Sequence, residues 1–429
     1  MKRAIVVGSG AAGATAALAL QGAFDVTVLE AGREFRPLGL KLATVEKLKR
    51  LGVLFDARQV GTVYPAMRTA RTKDGMVLVW GRATGGTTPM MTGNALRMDR
   101  DLRALGVDLD AEFEELGREI PISDAHRARW RESTLSLYET FKGLGLAPRP
   151  MPKMADAAKC VSCGRCVLGC PTGAKWDARR FLAEAERRGA RIVTGVNVER
   201  LAGPPNRSAG VIARTGLRRR LIPADLVILA AGGFGTPAIL ARSGIGCEDR
   251  LFVDPVLCVA AAWPGALQDR EVPMPFAASL DGFILSPYFD YLSYYFDRRW
   301  KSAPGDIVSL MIKFADANAG SVRGRRLRKP LTPADKDRLA GAVRLAEDVL
   351  ARMGIPRARM FQGILNAGHP GGMLPLTAAT ASTLQDLRLP GNVYVADASL
   401  FPGSLGNPPS LTIMALARKV SRAAAARWA

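Results

Sequence analysis

The chain has 429 residues, 48% hydrophobic and 23% charged, which is enough apolar material for a large core and two or three domains and excludes a disordered protein. Its formal net charge is +21, a field that attracts acidic proteins, anionic lipid and nucleic acid alike. No uninterrupted apolar run reaches the roughly twenty residues that span a bilayer, so no transmembrane segment is expected and any membrane contact would be peripheral.

The N-terminus opens Met1-Lys2-Arg3 before an apolar, Ala-rich run, a pattern shared with secretory signals. Gly8, Gly10 and Gly13 break that reading, because they would spoil an apolar helical core. They suit a turn from a buried strand, Ala4 to Val7, into a helix. Gly8-Ser9-Gly10-Ala11-Ala12-Gly13 matches the dinucleotide fingerprint, in which the first glycine makes the tight turn, the second admits a pyrophosphate and the third lets helix and strand pack closely. The helix N-terminus offers free N–H groups to the phosphates. A second strand, Asp25 to Leu29, ends at Glu30, the residue type and distance expected for gripping ribose hydroxyls.

Next come Trp80-Gly81-Arg82-Ala83-Thr84-Gly85-Gly86-Thr87-Thr88 and Thr92-Gly93-Asn94, glycine-rich segments that either connect elements or lie against a flat ring. His126 falls in a polar stretch and is expected at the surface. Cys160, Cys163, Cys166 and Cys170, followed by Pro171, have the ferredoxin spacing Cys-x-x-Cys-x-x-Cys-x-x-x-Cys-Pro, so four of the six cysteines form one metal motif rather than a disulfide framework. This implies an iron–sulfur cluster of the 4Fe-4S type and a reducing, cytoplasmic location. Structural zinc or unligated packing thiols are the alternatives, and Cys247 or Cys258 is a candidate substitute for Cys170 as the fourth ligand.

Arg191 to Val198 reads as a strand. Ala224 to Pro237 carries a third glycine-rich turn; taken alone, Gly233-Phe234-Gly235-Thr236-Pro237-Ala238 would open a second dinucleotide site, with Pro237 in the first helical turn. The aromatic run Phe283 to Phe296 either lines a hydrophobic substrate pocket or forms a buried strand pair. Arg218 to Arg220 and Arg323 to Lys329 are the densest basic clusters, and without interleaved aromatics they read as solvated loops, so nucleic acid is not the expected partner. His369, between Gly368 and Pro370, sits in a loop.

Together with Asn392 to Ser399 and Gly406 to Thr412, these segments resemble, in the right order, the glucose-methanol-choline (GMC) family of FAD-dependent oxidoreductases. The resemblance implies an α/β fold with a discontinuous Rossmann-like FAD domain (1–100, 155–254 and 385–429, with the cysteine loop at 158–175) and a smaller α+β substrate domain (101–154 and 255–384). It implies FAD contacts at Gly8, Gly10, Ala11, Ala12, Gly13, Glu30, Arg82, Gly86, Thr87, Asn94, Val198, Ala231, Asp397, Ala398, Asn407 and Pro408. His369 would be the active-site base and Asn407 its partner. The implied activity is oxidation of a small-molecule alcohol by hydride transfer to flavin. Electrons would then leave through the cluster to an external acceptor, with an acidic one-electron carrier as the partner that a basic surface suits. An oxidase with inert cysteines and a non-catalytic electron carrier are the rivals. The chain departs from the family in its abbreviated stretch from about Pro255 to Leu350, which leaves the substrate open.

Overall fold

The computed structural model describes residues 1–39, 41–50, 57, 60–323 and 326–429; Gly324 and Arg325 of the second basic cluster lie outside the described residues. The fold is mixed α/β, as expected, and is organised around two large sheets.

The first sheet is parallel and five-stranded, in the order Val393–Val395, Leu226–Leu229, Arg3–Val7, Asp25–Glu30, Arg191–Thr194. Its strands are almost continuously apolar because both faces are covered: Ala4 to Val7 and Leu226 to Leu229 are all buried. The Ala11–Ala19 helix packs against the C-terminal Ser410–Trp428 helix over this sheet, and alanine at Ala12, Ala14, Ala16 and Ala17 keeps that approach close.

The Arg191 to Val198 run is two strands rather than one. It breaks at Gly195 in the left-handed region (φ 72°), so Arg191–Thr194 ends the parallel sheet while Asn197–Ala202 starts a three-stranded antiparallel meander. The basic cluster Arg218 to Arg220 lies exposed on the outer strand of that meander.

The second sheet is mostly antiparallel and nine-stranded. Its centre is the pair Val256–Ala262 and Ile307–Phe314, flanked by Phe283–Pro287 and Phe276–Leu280 on one side and by Asn366–Ala367, Val77–Gly81 and Met67–Arg71 on the other. All eight residues of Ile307–Phe314 are buried, including Lys313. The twenty-residue Pro333–Arg352 helix covers one face; it starts from a reciprocal capping box between Thr332 and Asp335 with proline at its first position. Among the described residues no helix is long and apolar enough to cross a membrane.

Phe276 anchors the apolar cluster beneath this sheet. It is fully buried and makes edge contacts with Tyr138 and Phe141, both with ring centroids 5.1 Å away. Phe276→Ala is expected to cost about 3–5 kcal/mol, read as a lower urea midpoint in tryptophan fluorescence. An unchanged midpoint would show that the cluster contributes no such stability.

Candidate active site

The first glycine motif forms a turn in which two of its three glycines leave no room for a side chain. Gly8 has φ +103°, and a Cβ there would lie 2.4 Å from the Ala230 carbonyl oxygen. A Cβ on Gly13 would lie 1.9 Å from the oxygen of Gly8. Gly10 differs, since its Cβ would meet only the Gly86 Cα at 3.7 Å. It therefore borders open space, and the helix that follows has no side-chain cap on its N-terminus. Gly86 (φ +57°) brings the second glycine loop onto the first: a Cβ there would lie 2.7 Å from the Gly10 Cα.

These turns enclose a cleft of about 420 Å³. Gly8, Gly10, Ala11, Ala12, Glu30 and Arg82 line it, as do Gly86, Thr87, Val198, Ala231, Asp397 and Ala398. Gly13 packs behind the turn. Glu30 is buried and accepts from the Ser9 N–H (3.1 Å), the Ser9 hydroxyl (2.6 Å) and the Gly32 N–H (2.6 Å), so its carboxylate is fixed in the wall. Asp397 accepts from Thr236 Oγ1 (2.5 Å), Gly232 N (2.8 Å) and Ser399 N (2.9 Å), tying the C-terminal turn to the third glycine segment. That segment lines the same cleft as the first motif, so it opens no second dinucleotide site. Its helix begins at Gly232, which puts Pro237 in the second turn rather than the first, because the Gly-Gly-Phe-Gly run is itself helical.

A second cavity, of about 210 Å³, adjoins the cleft, and Thr87, Met91, Gly368, His369 and Ser410 line both. Its wall is mainly apolar and aromatic, with Tyr64, Met67, Met90, Tyr291, Tyr295 and Phe296. The aromatic run thus splits between the two readings: Phe283–Pro287 is a buried strand, and the Tyr291–Phe296 helix lines the cavity. Asn94 and Pro408 face this cavity rather than the dinucleotide cleft. Asn407 lines neither, although its neighbours Pro408 and Pro409 do.

The sequence reading missed three ionisable residues here. Lys313 lines the second cavity, and its Nζ lies 2.6 Å from Asp254 Oδ2. His369 Nδ1 lies 3.7 Å from the same oxygen, an electrostatic contact longer than a hydrogen bond. Burial and the Lys313 ammonium hold the His369 imidazole below its ordinary range, with Asp254 opposing them. Burial alone would raise Asp254, but Lys313 and His369 together hold its carboxyl well below the usual range. Asp290, also in the cavity wall, caps the Tyr291–Phe296 helix and is pushed up to about 6 by burial. No local pattern marks any of the three, because their burial is set by distant segments.

The four clustered cysteines line a third, smaller cavity of about 40 Å³ together with His126, Lys153 and Lys175. Burial pushes Cys166 up to about 11; at Cys170 the Lys175 N–H and the Thr172 hydroxyl outweigh burial and lower the thiol. Among the described residues no three His, Cys, Asp or Glu side chains gather as a metal-binding group. Cys258 and Cys247 do not line this cavity. His126 is not at the surface as expected. It is buried, accepts from Trp130 Nε1 at 3.0 Å and has Met151 O 2.9 Å from Nε2, and burial lowers it to about 4.

The model of the GMC oxidoreductase family matches residues 2–259. The chain belongs to that family and is a GMC-type FAD oxidoreductase. An uncharacterized GMC-type oxidoreductase of Mycobacterium tuberculosis is 30% identical over 97% of this chain and 75% of its own. Among solved structures, pyridoxine 4-oxidase from Mesorbium loti superposes with a TM-score of 0.71 at 18% identity, covering 98% of this chain and 99% of that one. A formate oxidase variant of Aspergillus oryzae gives 0.72 at 14%, covering 99% and 98%. The residues present fit FAD: the uncapped helix N-terminus and the open space above Gly10 face the cleft that the cofactor would fill.

Gly10→Val should fold, because its Cβ meets nothing closer than 3.7 Å, while its methyl groups occupy the pyrophosphate path. The expected result is apoprotein with wild-type circular dichroism and no flavin absorption. Full flavin occupancy would remove the cleft assignment.

Proposed function

We propose that this chain oxidises the CH–OH group of an apolar or aromatic alcohol, with His369 as the group that takes the hydroxyl proton. The observation that carries this reading is the position of His369 on the wall shared by the dinucleotide cleft and the apolar cavity. FAD, when bound, supplies the hydride acceptor. The alcohol oxygen loses its proton to the imidazole as the carbinol carbon loses hydride, and the product is the carbonyl compound. A base must be unprotonated to act, and burial with Lys313 keeps His369 neutral near pH 7. The family resemblance assigns the Asn407 amide to the substrate oxygen, where negative charge develops; its side chain lines neither cavity, so that role rests on the resemblance and on the adjacent Pro408 in the cavity wall. The aromatic and methionine wall excludes water from the carbon skeleton.

His369→Ala holoenzyme should reduce its flavin about a hundredfold to ten-thousandfold more slowly when mixed anaerobically with straight-chain primary alcohols or benzyl alcohol. If one of these alcohols bleaches the variant as fast as the wild type, the base is elsewhere.

A second element of the proposal concerns where electrons go. Cys160, Cys163, Cys166 and Cys170 are the residues that would hold an iron–sulfur cluster, which exchanges one electron at a time. Their shared cavity supports this, as do two buried lysines beside it, both held below the ordinary ammonium range by burial, Lys153 at about 7. Lys153 Nζ is bonded to Asn94 Oδ1 and to Pro273 O (2.6 Å), and Lys175 Nζ to Thr88 O (2.7 Å) and Pro89 O (3.1 Å), all neutral oxygens. Thiolates would oppose that effect of burial and favour the ammonium forms. Among the described residues the thiols are not gathered into a metal-binding group, and the similar solved structures are oxidases, which favours oxygen as the acceptor. Iron and acid-labile sulfide analysis of anaerobically purified protein decides between them. About four of each per chain is expected, falling in Cys163→Ser. Absence of iron from wild type leaves the oxidase reading.

A further inference from the structure

One carboxylate touches both parts of the proposed catalytic apparatus. Asp254 is fully buried and holds a left-handed backbone (φ 51°), a conformation that a non-glycine residue adopts at a cost. Its Oδ2 faces Lys313 Nζ at 2.6 Å and His369 Nδ1 at 3.7 Å. Its Oδ1 accepts the Gly406 N–H at 3.1 Å and the Ser404 hydroxyl, both on the turn that carries Asn407. His369 Nδ1 is buried and has no hydrogen-bond partner, so the other edge of the ring is the one left toward the cavities.

We propose that Asp254 and Lys313 are positioning residues for the reaction: the carboxylate orients the His369 ring from Nδ1 and anchors the Gly406–Asn407 turn, and the Lys313 ammonium holds that carboxylate as an anion. The inference rests on the reading of His369 as the base.

The charges around the ring come from four segments. Asp254 precedes the Val256–Ala262 strand, Lys313 lies on Ile307–Phe314, Asp316 follows that strand, and Lys329 follows Arg326–Arg328, its Nζ 2.5 Å from Asp316 Oδ2. Ser404 bridges the two carboxylates, donating to Asp254 and lying 3.1 Å from Asp316 Oδ1. Two anions and two cations leave the group neutral while His369 is neutral. An apolar pair would stabilise such an interior at least as well, so the charges are better explained by what they do to the ring. Asp254 stabilises the imidazolium that forms on proton uptake and favours the Nδ1–H tautomer beforehand, leaving the cavity-side nitrogen free to accept. Lys313 opposes early protonation.

The two residues therefore act on the ring with opposite signs, which an ion pair that served packing alone and was not coupled to the ring would not produce. The chain has two histidines, so isotope-labelled histidine gives two ring signals in NMR of the holoenzyme, and His369→Asn assigns them. Asp254→Asn should lower the His369 titration midpoint by about one pH unit or more and reduce the Nδ1–H tautomer. Lys313→Gln should raise the midpoint, and Lys313→Arg should keep it near wild type. If Asp254→Asn is not recovered with flavin bound, the Lys313 pair decides. Midpoints unchanged in the flavin-bound variants, or shifted in the same direction by Asp254→Asn and Lys313→Gln, overturn the proposal. The titration needs no substrate, so it can fail while His369→Ala still abolishes flavin reduction, and the reverse outcome is equally distinguishable.

Discussion

The architecture depends on a close approach of bare backbone at the carboxyl ends of two neighbouring parallel strands. Arg3–Val7 and Leu226–Leu229 pair in register, and each runs into a turn where the carbonyl of Ala230 occupies the place of a Gly8 side chain. The chain continues from Arg3–Val7 to the Asp25–Glu30 strand on one side, whereas the Leu226–Leu229 strand lies on the other. A crevice opens where the strand order reverses in this way. The 80s loop can reach the crevice because Gly86 has no side chain to meet Gly10. The C-terminal turn reaches it because Asp397 binds the helix start at Gly232. Four segments far apart in sequence therefore share one cleft, and a methyl group at Gly8 would push its wall apart.

Buried charge is the second organising feature, and several of its members stand at or behind the cavity walls. Lys313 and Asp254 stand where the cleft meets the apolar cavity, while Lys153 and Lys175 stand in the wall of the cysteine cavity. Taking such groups out of water costs several kcal/mol per ion before pairing recovers it. Nothing in the packing of the nine-stranded sheet calls for a lysine on a strand whose other seven residues are buried and uncharged. For Lys313 that cost falls at the wall of the proposed substrate cavity.

This distribution explains what could be read from the sequence. The cleft was legible because each part of it is local: a strand, a glycine turn and an acid at fixed spacing, repeated in later glycine segments whose order matches one family. Lys313 was not, since in Ile307–Phe314 a single lysine near a strand end looks like a solvent-facing residue. It lies on the face of Ile307 and Met311, opposite the Pro333–Arg352 helix, and only the cavity-side segments and the partner Asp254, 59 positions away, make it interior. His126 failed for the same reason: its polar neighbours point outward while Trp130 and Met151 enclose the ring. The spacing of the four cysteines predicted that they would share a site. Whether they hold metal depends on how closely the thiols converge, which spacing does not fix.

The cavities also form a series. Thr92 lines both the apolar cavity and the cysteine cavity, and the Lys153 ammonium of the latter is bonded to Asn94 in the wall of the former. The thiols are therefore separated from the proposed substrate space by one short segment, Thr92 to Asn94. Beside Cys160, near the start of the cysteine loop, Val161 is 63% exposed. If the thiols held the cluster proposed above, it would lie between that segment and solvent, with a short path on one side and access on the other. Lys153 joins the two cavities, since it lines the one that holds the thiols while its hydrogen bond fixes the Asn94 amide in the wall of the other.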